Sequence, residues 1–174
     1  ALNPLFIMLL APLFAVLWTA LSRRQLEPNT PVKFSLGIIQ AGLGFGALVI
    51  GGKFPNEAGQ VAAIWLILAY LLHTTGELCL SPVGLSAVTK LSVPRIVGLM
   101  MGTWFLATAY SEFIAVQIAK LAAIDVPPGQ LIDTASALTS YTNLFGTLCL
   151  VGCGVGVLLL LLCPYLKKHM HGIH

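Results

Sequence analysis

The chain has 174 residues, of which 57% are hydrophobic and only 9% charged, with a formal net charge of +3. A soluble domain carries about a quarter charged residues, so this balance excludes a water-soluble globular protein and describes an all-α integral membrane protein. The small positive excess falls mostly between apolar runs, which also excludes the concentrated basic face of a nucleic-acid binder. Cys79, Cys149, Cys153 and Cys163 all lie inside apolar runs with no disulfide or zinc spacing; Cys149 and Cys153 read as one helix face. No signal peptide is evident. The chain is apolar from Ala1, as if it began inside a helix of something longer.

Five segments are long enough to cross a bilayer core, which takes about 20 helical residues. They cover about 1–22, 32–51, 60–90, 95–122 and 141–166. The first contains Pro12, which should kink it, and ends at Ser22, Arg23 and Arg24. A polar linker with two prolines, Q-L-E-P-N-T-P, leads to the second. Gly42-x-x-x-Gly46 in that second span would let neighbouring backbones approach, although glycine is common in such helices. The third span is too long for the membrane thickness and must tilt, bend or protrude. Pro82 makes a bend the expectation, with freed carbonyls facing protein or a wet cavity. S-V-P-R turns the chain into the fourth span. The polar stretch D-V-P-P-G-Q-L-I-D-T-A-S-A-L-T-S separates that span from the fifth, which carries Gly152, Gly154 and Gly156 before a basic tail.

Alternating loops place Arg23, Arg24, Lys33, Lys90, Arg95, Lys167 and Lys168 on one side, and Lys53 and Lys120 on the other. Positively charged residues concentrate in the cytoplasm, so the C-terminus is expected there.

The chemistry concentrates in the third span. His73, Glu77 and Ser81 fall at i, i+4 and i+8 on one helical face. An acidic residue at mid-membrane depth costs about 2.5–3.5 kcal/mol on insertion scales, so it is usually functional. A carboxyl facing a cavity there could take up and release a proton; the bland alternative is a structural carboxyl bonded to a neighbouring helix. His73 reads first as a satisfied buried imidazole and second as a proton relay. Enzyme readings are poor. His73 and Glu77 do not make a metal site, Ser81 has no base beyond the carboxylate one turn away, and no nucleotide-binding glycine loop is present. Trp104 lies too deep for the interfacial belt and is either core or the wall of a cavity. Asn3 before Pro4 is either a helix cap or a polar group at that cavity. Glu112 is a second carboxylate, two turns from Lys120.

G-E-L-C-L-S-P-V-G-L-S (76–86), G-L-M-M-G-T-W-F-L-A-T-A (98–109) and the opening N-P-L-F-I-M-L-L-A-P-L-F-A-V-L-W resemble the proton-dependent oligopeptide transporters of the major facilitator superfamily. The resemblance covers essentially the whole chain. It implies that the five spans are helices eight to twelve of twelve, most of a carboxy-terminal six-helix bundle in the cytoplasmic (inner) membrane. It also implies that an amino-terminal bundle and helix seven lie outside this chain. Glu77 then matches a glutamate that holds the peptide's amino terminus and couples protons. Asn3 and Ser81 match polar groups near it, and Trp104 an aromatic wall. Glu112 departs from the family, where asparagine is frequent. The implied activity is symport of di- and tripeptides with protons, with no cofactor beyond the proton gradient. The alternatives are a relative carrying nitrate, an amino acid or a peptide-like drug, and a non-transporting membrane subunit.

Overall fold

The computed structural model describes residues 2–57, 59–121 and 134–169. Five helices follow one another: α1 (Leu2–Arg23), α2 (Thr30–Gly51), α3 (Ala63–Leu91), α4 (Val97–Leu121) and α5 (Thr134–His169). A single 3₁₀ turn, Pro94–Ile96, joins α3 to α4. The only β feature among the described residues is an isolated bridge between Pro55 and Val61. All five helices are long and apolar enough to span a membrane. A hydrocarbon solvent offers the backbone no partners, so a chain of this composition satisfies its peptide groups within helices.

α2 is the centre. It packs against α3 on one side and α5 on the other, while α1 and α4 lie against α3. Its first turn carries Pro31, whose missing N–H would have had no intrahelical partner there. In lipid no hydrophobic force draws helices together, so close backbone contact has to supply the cohesion. Glycine provides that contact. A Cβ on Gly76 of α3 would stand 2.7 Å from the Gly37 carbonyl oxygen of α2. A Cβ on Gly42 would stand 2.7 Å from the Cys153 amide nitrogen of α5, and one on Gly46 3.1 Å from the Cys149 sulfur. The glycine pair of α2 thus faces α5, and Cys149 and Cys153 lie on the α5 face that meets it. Of the α5 glycines, Gly152 and Gly156 meet α2, and Gly154 faces open space.

Three expectations need correction. α3 runs without a break through Pro82, so no stretch of unwound backbone forms there. Proline removes one ladder hydrogen bond, that to the carbonyl four residues back, and the remaining turns carry the helix across. α1 likewise continues past Pro12 to Arg23. α5 begins at Thr134, seven residues before the expected 141: Ala135, Ala137 and Leu138 favour helix and outweigh the Ser and Thr among them. Thr139 donates its hydroxyl back to the Ala135 carbonyl at 2.9 Å. The turn before α3 is likewise longer than expected. Gln60 donates its amide to Asn56 Oδ1 at 2.8 Å and returns its carbonyl to the Asn56 amide, closing a loop at Gly59 with φ of 74°.

Candidate functional site

Glu77 is the middle residue of α3, with fourteen residues on either side (63–76 and 78–91). It is exposed, while its neighbours Gly76, Leu78 and Cys79 are buried against the bundle. α1 runs past this point and delivers Asn3, whose Nδ2 donates to Glu77 Oε2 at 3.3 Å. Asn3 Oδ1 in turn accepts the hydroxyl of Thr74, one turn earlier on α3, at 2.6 Å. Thr74 is fully buried. An asparagine and a carboxylate from different helices therefore share one polar face at the midpoint of an apolar span.

Ser81 lies half-buried one turn beyond Glu77. His73 does not join the pair. Its Nε2 lies 3.0 Å from the Ala41 carbonyl of α2, which can only accept, so that nitrogen carries the hydrogen. The ring rests 4.7 Å from Phe45 and fills the space left by Gly44. The spacing i, i+4 is right for contact with Glu77, but the imidazole is engaged in the α2–α3 seam.

Trp104 of α4 sits against Gly84, seven residues and about 10 Å along the α3 axis from Glu77. Phe34 meets its ring edge-on at 6.4 Å. There it walls a cavity of about 500 Å³ whose lining includes Phe34, Val88, Leu91, Met100 and Leu159. The cavity is apolar, and its tryptophan lies two turns toward the Lys90 end of α3. Glu112 is exposed on α4.

Two features escaped sequence reasoning. Thr74 reads as an ordinary polar residue of a membrane helix; the signal was its place one turn from Glu77 on the Asn3 side. The second is Lys33, buried in the first turn of α2. It forms an ion pair with Glu27 of the α1–α2 linker and lies 4.6 Å over the Trp18 ring of α1. The Lys33 hydrogen bond, opposed by burial and aided by Ser22 and Lys90, holds the Glu27 carboxyl below its ordinary range. These contacts bring the Lys33 and Lys90 ends of α2 and α3 together, as alternating loops require.

Five apolar helices packed about a buried seam are the architecture of a multi-pass membrane protein. The profile of the POT family matches residues 1–128. The chain is 44% identical over 173 residues to the uncharacterized transporter YclF of Bacillus subtilis (strain 168), covering 99% of this chain and 32% of that protein. It is 38% identical over 168 residues to dipeptide and tripeptide permease A of Edwardsiella piscicida, covering 97% of this chain and 33% of the permease. The crystal structure of a mutant peptide transporter POT in complex with alafosfalin superposes with a TM-score of 0.80 at 37% identity, over 98% of this chain and 32% of that one. The chain belongs to the POT family. It spans about a third of the length of these relatives.

Proposed function

We propose that this chain is most of the carboxy-terminal bundle of a proton-coupled symporter for di- and tripeptides in the cytoplasmic membrane. The observation that carries the reading is the Asn3–Glu77 pair, exposed at the centre of α3 in a chain whose family includes named peptide permeases. A peptide in water is a dipole with an ammonium at one end. Glu77 supplies the opposing charge and Asn3 and Ser81 supply polar groups, while Trp104 walls the apolar cavity about two turns further along α3. The peptide's carboxylate meets basic groups on the partner half of the transporter, because alternating access needs two bundles moving about a midplane site. The seven-to-two excess of Lys and Arg supports a cytoplasmic C-terminus.

Coupling requires that proton and peptide binding bias the same conformational equilibrium. Glu77 is placed to do both, holding an ammonium as a carboxylate and releasing it on protonation. One charge moved through about 100 mV supplies about 2.3 kcal/mol, roughly fifty-fold accumulation, which suffices for uphill uptake.

The test is uptake of labelled dialanine by proteoliposomes holding the full-length transporter under an imposed inward proton gradient. Accumulation above equilibrium that collapses on adding a protonophore supports the reading. Absence of dipeptide uptake in vesicles shown to contain inserted protein would overturn it.

A further inference from the structure

We propose that Thr74 is a positioning residue of this site, setting the orientation of the Asn3 amide so that its N–H points at Glu77. The inference rests on the peptide-symport reading and adds to it a residue that touches neither peptide nor proton.

Donors and acceptors fix which way the amide points. A carboxylate can only accept, so the side of Asn3 that faces Glu77 must be the amide nitrogen. Asn3 Oδ1 then necessarily points the other way, and there it meets Thr74 Oγ1 at 2.6 Å. The threonine hydroxyl has a single hydrogen and a second acceptor in reach, the Tyr70 carbonyl at 2.8 Å. The Tyr70 carbonyl lies inside the helical ladder and already has a donor four residues on, whereas Asn3 Oδ1 has no other partner on α3 in hydrogen-bonding contact. Thr74 is fully buried, so water cannot substitute for its hydroxyl at that position.

Deleting the hydroxyl takes the donor from Asn3 Oδ1 and leaves the amide held only by its longer bond to Glu77, free to swing or turn over. A flipped Asn3 would present its oxygen to the Glu77 carboxylate, acceptor against acceptor, and the donor would be lost from the face that meets the peptide. Near Asn3 the helix packed against α1 is α3, and Thr74 is the α3 side chain that meets the amide oxygen. Thr74 thus acts on substrate through Asn3, and its removal should reproduce the loss of Asn3 without adding to it.

The experiment is a double-mutant cycle on dialanine uptake by the full-length transporter, with inserted protein quantified by fluorescence-detected size exclusion. One net hydrogen bond corresponds to a change of about three- to ten-fold in binding. Thr74→Val is expected to raise KM by about that factor with kcat within about two-fold, and Thr74→Ser to keep the wild-type KM. Asn3→Ala is expected to raise KM similarly, and Thr74→Val in the Asn3→Ala background to add nothing. Thr74→Ala provides the same comparison should the valine variant fail to insert. The positioning role is overturned if removing the hydroxyl leaves KM unchanged, if serine fails to rescue, or if the two substitutions add. Retained proton-driven accumulation in Glu77→Gln strikes the parent reading instead, and is seen in a different variant.

Discussion

Glu27→Gln should destabilise the bundle more than Lys33→Met, although both break the same ion pair. The Lys33 side chain is 9% exposed and that of Glu27 35%. Removing one partner of a fully buried pair costs about 3–5 kcal/mol, because the other charge is stranded, whereas a solvent-exposed pair contributes about 0–1 kcal/mol. Here the stranded group would be the buried lysine, while water screens the more open glutamate, so the discounted expectation for Glu27→Gln is about 1–3 kcal/mol. The Trp18 ring 4.6 Å away recovers only part of this. Lys33→Met instead leaves Glu27 free to hydrate and removes a cation from the first turn of a helix, where the macrodipole disfavours it. Its cost should stay below about 1 kcal/mol, and the double variant should match it. The pH dependence follows from the lowered Glu27 carboxyl, held down chiefly by the Lys33 hydrogen bond. A carboxyl whose folded value lies below its ordinary 4.5 stabilises fully above that value and loses the contribution as pH falls through the folded one. Wild type should therefore lose an increment of stability below about pH 4.5 that Glu27→Gln never had. Reversible unfolding in mixed detergent micelles, titrated with SDS, reads both effects. A Lys33→Met variant as damaged as Glu27→Gln would refute the claim that burial of the lysine sets the cost.

Gly42→Ala would push a methyl to 2.7 Å from the backbone of α5, which cannot rotate away, and should cost about 1–3 kcal/mol in the same unfolding assay; Gly154→Ala, which meets nothing within 4 Å, should be neutral or stabilising. Gly84→Ala would drive a methyl into the Trp104 ring, so its destabilisation should shrink when combined with Trp104→Ala. His73→Gln keeps a donor for the Ala41 carbonyl and should retain proton-driven dialanine accumulation. Loss of accumulation with intact counterflow in that variant would make the imidazole a proton relay.

The spans were legible because a run of about 20 apolar residues has few other uses, and the charge asymmetry of the loops gave their alternation. Helix ends were less legible. α5 starts at Thr134 inside a stretch that composition marks as loop, since Ser and Thr hydroxyls there can turn back onto helix carbonyls. Pro82 read as a breaker, yet one missing hydrogen bond in a 29-residue helix does not end it. Within the site, Glu77 announced itself by the cost of a charge at that depth. Asn3 needed the family resemblance, because its bond to Glu77 spans 74 positions of sequence that no local pattern reports. His73 misled for the opposite reason: helical spacing allows it to meet Glu77, and only the packing of Gly44 and Phe45 shows that it turns to α2 instead. Thr74 and Lys33 are ordinary residues whose importance lies wholly in what other helices bring to them.

The most direct measurement is proton-driven accumulation of dialanine by Glu77→Gln in the full-length protein reconstituted in vesicles. Glutamine keeps the size and polarity of the side chain but can neither carry the charge nor exchange the proton. Driven accumulation under a proton gradient should vanish while the protein inserts normally. Uphill accumulation at the wild-type level would contradict the account, because the exposed carboxylate at the middle of α3 would then have no part in coupling.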